Sequence, residues 1–140
     1  MRTVALPVLI FATLTATPAS ADDPRQLVEM PPRMQEHMLG NMRDHLVALD
    51  EILAHVGEGR FDAAAEVAER RLGMSSLESH GASHMAQVMP QGMRETGTRM
   101  HRAASRLAVV AQEGDALQTY RSLKDVTGAC VACHAGYRIR

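Results

Sequence analysis

The sequence predicts an all-α protein, an antiparallel up-down-up-down four-helix bundle, and three observations carry that expectation. Ala, Leu, Met, Glu and Arg are abundant, with ten methionines, whereas aromatic residues make up 3% of the 140; these are residues that helices favour. Apolar side chains recur every three or four positions, the period of a helix packed on one face, and not in alternation. The breaks between the first and second helical segments, and between the third and fourth, are only a few residues long, which makes those neighbours antiparallel.

The N-terminus comes first. Arg2 precedes an apolar run from Val4 to Leu14 and a short polar stretch ending in Ala19-Ser20-Ala21, the pattern of a secretory signal with cleavage after Ala21. The run is shorter than the roughly 20 residues a membrane span needs. The expected organisation is a signal peptide at 1–21 and one domain at 22–140, 119 residues (140 minus 21) and long enough for a single core. No second apolar run of spanning length follows, so no stable membrane insertion is expected after cleavage. Losing Arg2 leaves 14 basic against 16 acidic residues, a formal charge of −2. Without a basic block, nucleic acid is not an expected partner.

The first helix is expected to begin after Pro31-Pro32, two residues that suit a helix start, and to continue to Val56, where Gly57 and Gly59 supply the stop. Its apolar stripe reads Met34, Met38, Met42, Leu46, Leu49, Leu53 and Val56. A second helix runs from Phe61 to Leu72, burying Phe61, Ala64, Ala65, Ala68 and Leu72, with Asp62 suited to its positive end. Residues 74–89 read as a long connection with at most a helical turn, since serines and Gly81 interrupt any apolar period. The third helix spans Pro90 to Gln112 and buries Met93, Gly97, Met100, Ala104, Leu107 and Ala111. Glu113-Gly114-Asp115 breaks it. The fourth runs from Ala116 to about Arg138, with Leu117, Tyr120, Leu123, Thr127, Cys130, His134 and Tyr137 on one stripe.

Two cysteines in an exported chain would ordinarily form a disulfide. Here Cys130 and Cys133 are followed directly by His134, and Cys-x-x-Cys-His is the attachment pattern of a c-type haem. Each thiol adds to one haem vinyl group and the adjacent imidazole reaches the iron, so all three residues must share one side. In a helix Cys130 and His134, four apart, stack on one face with Cys133 beside them. The reading is one covalent haem c, attached at Cys130 and Cys133, with His134 as an axial ligand. A redox dithiol is the competing use of the motif, but such sites usually open a helix beside a sheet.

Cys-Val-Ala-Cys-His-Ala-Gly-Tyr-Arg near the end of a helical chain of this length resembles the class II c-type cytochromes, the cytochrome c′ family. Typical members follow the attachment motif with a small spacer, an aromatic and a basic residue, matched here by Tyr137 and Arg138. Gly-Glu-Gly-Arg-Phe-Asp-Ala-Ala at 57–64 resembles the turn that opens their second helix. The resemblance implies an antiparallel bundle, a haem at the solvent edge and frequently a homodimer built through the first two helices. It also implies a fork. Some members leave the sixth iron position open beneath an apolar first-helix residue and bind nitric oxide or carbon monoxide; others place a methionine there and carry electrons.

Counting back from Phe61 puts the distal position at Asn41, next to Met42. Met42 and, one turn earlier, Met38 are the candidate sixth ligands, with core packing as the alternative use of the stripe. His37 and His45 flank it as imidazole alternatives. Arg33 reads as a partner for a haem propionate or as a solvated arginine at the helix start, and Tyr137 and Arg138 as packing beside the porphyrin. His80 and His84, four apart in a Met-rich stretch, form a weak second metal motif and read best as surface or packing residues; His55 and His101 carry no signal. The leading functional reading is a periplasmic one-electron carrier that meets redox partner proteins. The alternative is a high-spin protein binding nitric oxide or carbon monoxide, and a third is a copper-handling protein without haem. With no nucleophile and base constellation, an enzyme is not expected.

Overall fold

The computed structural model describes residues 22–140, so the signal peptide read at 1–21 lies outside the described residues. The chain forms a two-residue strand β1 (Gln26–Leu27), α1 (Pro32–Gly57), α2 (Phe61–Val67), which continues as a π-helical turn at Ala68–Leu72, and a 3-10 turn at Met74–Ser76. A short α3 (Ala82–Met85), then α4 (Gln91–Ala111), α5 (Ala116–Gly136) and β2 (Tyr137–Arg138) complete it. The four long helical elements pack as the expected bundle. Among the described residues no helix is long and apolar enough to cross a membrane.

Local chemistry sets the boundaries. Pro32 occupies the first turn of α1, where a missing N–H costs nothing. The α1–α2 and α4–α5 turns close through Gly59 and Gly114, with φ of 73° and 75°, a left-handed conformation that glycine adopts without strain. Asp115 caps α5, its Oδ1 accepting from the Gln118 N–H at 3.0 Å.

The interior has two parts of different texture. Ala48, Ala64, Ala65, Ala68, Ala103, Ala104, Ala108 and Ala111 surround Ile52, Leu72, Leu107 and Val126, so small side chains let α1, α2 and α4 approach closely. At the other end Val28, Met38, Met85 and Met93 are buried, with Met30, Met34, Met42, Met89, Cys133, Tyr137 and Ile139 packed against them. Long, adaptable methionines thus collect where the cysteines lie. α4 and α5 pair along their length, whereas α1 meets α5 at only a few positions.

Four expectations need correction. In α1 the buried positions beyond Met38 are His45, Ala48, Ile52 and Val56, while Leu46 and Leu53 are 70% and 45% exposed. The stripe drifts because a strict repeat of four or three residues slides around a 3.6-residue turn. In α5 the buried face is Thr119, Leu123 and Val126, leaving Leu117 and Tyr120 exposed. Phe61, expected in the core, is only partly buried against it. α5 also stops at Gly136 and not near Arg138: Tyr137 and Arg138 turn extended and pair in parallel with Gln26 and Leu27. The Val28 N–H donates to the Arg138 carbonyl at 2.8 Å, continuing that seam.

Candidate cofactor site

The Met-rich end encloses a cavity of about 340 Å³. Met38, Leu39, Asn41 and Met42 of α1 form one wall and Cys133 and His134 of α5 another. Met93, Gly97 and Met100 of α4, together with the 80–89 connection, close the third side. The tail from Tyr137 to Arg140 and Arg25 of the N-terminal segment stand at the rim.

Cys130, Cys133 and His134 sit on the last two turns of α5. Both thiols are half-buried and free; Cys130 Sγ lies 3.4 Å from the Val126 carbonyl. Burial raises the pKa of each above the usual thiol value, and Cys130 adds to the rise at Cys133. A redox dithiol needs the opposite, a thiol made acidic by positive charge or a helix N-terminus. These cysteines lie at a helix C-terminus, so the dithiol reading loses its physical basis. His134 is exposed toward the cavity, and its carbonyl accepts from Arg25 Nη1 at 3.5 Å.

The rim is charged. Asp23 accepts from Arg25 Nε at 2.9 Å and Nη2 at 2.6 Å, and this bonding lowers the Asp23 pKa to about 2. Arg138 Nε is 3.6 Å from Asp23, too far for a hydrogen bond, and is buried without a partner. A buried guanidinium N–H with nothing to donate to is uncommon, and a carboxylate at the cavity rim would satisfy it. A largely apolar cavity, the Cys133 thiol with Cys130 one turn behind it, an imidazole and a guanidinium Nε without a hydrogen-bond partner among the described residues therefore fit a haem, whose plane is apolar and whose propionates are anionic.

Of the residues singled out in the sequence, the structure brings Met38, Met42, Cys133, His134, Tyr137 and Arg138 to this cavity. Cys130 lies one turn behind, packed on the Ala-rich core. Arg33 is exposed and lies outside the lining; Arg25 and Arg140 line it instead. Nothing in the local sequence marks those two, because the β1–β2 seam that delivers Arg25 is two residues long. Gly92 had no signal either, yet a Cβ there would stand 2.5 Å from the Tyr137 hydroxyl. His84 is exposed, as expected of a surface residue. His101, which carried no signal, is buried and lines the cavity with His80.

A helical bundle that ends in Cys-x-x-Cys-His beside an apolar cavity defines a c-type haem-binding protein. The sequence profile of the family described as Cytochrome C′ matches residues 87–138, the segment from before α4 through β2, so this part of the chain is similar to that family. Comparison with curated proteins and with solved structures finds no match.

Proposed function

We propose that Cys130 and Cys133 hold one haem c, that His134 is its proximal ligand, and that the protein binds a small neutral diatomic, nitric oxide or carbon monoxide, at the distal face. The observation that carries this reading is the α1 wall of the cavity. Met38, Leu39 and Met42 present apolar surface there, which suits an uncharged ligand and disfavours water. Met38 is 9% exposed and packs with Val28, Met85 and Met93, so its thioether is held in the core. The haem supplies an iron that can hold a diatomic ligand or exchange one electron. Around it Arg25, Arg138 and Arg140 offer donors for propionates, Tyr137 packs beside the porphyrin edge, and the methionines exclude water.

A second reading rests on Met42, which is half-buried at the same wall. A thioether ligand from Met42, or from Met38 after repacking, would raise the potential and make the protein an electron carrier for redox partner proteins. Both readings place the protein in the periplasm, exported by residues 1–21. Leu46, Val47 and Leu53, exposed along α1, support a homodimer through α1 and α2.

The test is the visible and near-infrared spectrum of the haem-loaded protein, oxidised, reduced and under carbon monoxide. A high-spin spectrum that changes with carbon monoxide is expected. A low-spin spectrum with the thioether-to-iron charge-transfer band, lost in Met42→Ala or Met38→Ala, would overturn the gas-binding reading in favour of electron carriage.

A further inference from the structure

Three histidines from distant parts of the chain meet beside the cavity, which His80 and His101 line. His45 of α1, His80 of the connection and His101 of α4 have ring centroids 4.8, 5.5 and 6.1 Å apart. His45 and His101 are each 8% exposed. Imidazoles are seldom gathered in an interior without partners, and here the partners run out on one side of the cluster.

The hydrogen bonds define which nitrogen of His80 and His101 carries the proton. His101 Nδ1 donates to the Leu72 carbonyl at 2.7 Å, which the π-helical turn of 68–72 leaves at the end of its helix. Its Nε2 therefore carries a bare lone pair. The Ser76 hydroxyl donates to the Gly73 carbonyl at 2.7 Å, so toward His80 Nδ1, 3.3 Å away, it is an acceptor. His80 Nδ1 thus holds the proton and its Nε2 is likewise bare. His45 Nε2 is buried with no hydrogen-bond partner. Burial, followed by the neighbouring rings, lowers the pKa of His45 to about 4; burial is also the first cause of the lowering at His80 and His101.

We propose that His45, His80 and His101 form a transition-metal site for a zinc- or copper-class ion, separate from the haem attachment. Imidazoles whose second nitrogen is anchored to a backbone carbonyl or hydroxyl, as at His101 and His80, are the donors such ions take. Around a tetrahedral ion with N–metal bonds of about 2.0–2.1 Å, ring centroids stand roughly 5.2 Å apart. The His45–His80 and His80–His101 spacings bracket that value, and the His45–His101 pair must close by roughly 0.9 Å. Among the described residues no group of three such side chains is already placed to hold a metal ion; binding requires the His45 ring, whose Nε2 has no hydrogen-bond partner among the described residues, to turn and close on the other two. Of the two histidines in the weak sequence motif, read best as surface or packing residues, His80 joins this cluster and the exposed His84 does not.

The site does not depend on the haem reading. The test titrates Zn²⁺ and Cu²⁺ separately into chelator-stripped, haem-loaded full-length protein by calorimetry, with metal content checked by mass spectrometry. One ion per chain is expected, for whichever metal binds more tightly. His80→Ala and His101→Gln should each weaken it at least about 100-fold, whereas His84→Ala should leave it within threefold. His80 is only partly buried, so His80→Ala decides the matter if His101→Gln fails to fold by circular dichroism. Affinity unchanged in a folded His80→Ala variant, or equal loss in His84→Ala, would overturn the assignment.

Discussion

Acid should unfold this protein through its histidines before its carboxylates, and His45 allows the size of the effect to be worked out. In the folded chain His45 titrates near 4, against an ordinary 6.5. Between those values the unfolded chain binds a proton that the folded chain refuses, so stability falls as pH drops through 6.5 and levels off below 4. At about 1.36 kcal/mol per pH unit the full gap is about 3 kcal/mol, of which about 2 kcal/mol is lost by pH 4.5. His80 and His101 shift in the same direction and steepen the wild-type curve. The perturbation is His45→Leu, which replaces the ring by an apolar side chain of similar size. The assay is urea unfolding followed by circular dichroism at pH 7 and pH 4.5, on chelator-treated wild type and variant. The variant should lose about 2 kcal/mol less than wild type between the two pH values. Equal losses would refute the claim that His45 is held neutral by burial.

Other substitutions probe the frame around the site. Leu107 is fully buried among α1, α2 and α4, and Leu107→Ala should cost about 3–5 kcal/mol in urea unfolding, as cavity-forming substitutions do. Gly92→Ala should cost about 1–3 kcal/mol by forcing Tyr137 aside, and it should shift the haem absorption, whereas Gly128→Ala, with open space around its Cβ, should not. Arg71 bridges Asp44 and Glu51 of α1, but both carboxylates are more than a third exposed. Arg71→Met should therefore cost no more than about 1 kcal/mol, and the loss should shrink in high salt.

Much of the fold is legible in the sequence because its signals are local. Pro31-Pro32, Gly57 through Gly59 and Glu113-Gly114-Asp115 mark helix ends by backbone chemistry that needs no tertiary partner, and those boundaries hold within a residue or two. The faces are less legible. Leu46 and Ile52 are both apolar, and only the packing of α1 on the Ala-rich core of α2 and α4 decides that Ile52 is inside and Leu46 outside. In the site, the Cys-x-x-Cys-His motif is legible because one short segment carries it. Arg25, His80 and His101 are not, since each arrives from a separate element. What places them is the parallel seam at Tyr137–Arg138 and the π-helical turn at 68–72. Neither device has a sequence period.

The central claim is that Cys130 and Cys133 carry the haem covalently. Its most direct test is the mass of the denatured, acid-acetone-extracted chain after expression with haem attachment machinery, for wild type and for the Cys130→Ala, Cys133→Ala double variant. The account predicts one haem retained on each wild-type chain and none on the variant. A wild-type chain that loses its haem on extraction, or a double variant that keeps it, would contradict the account.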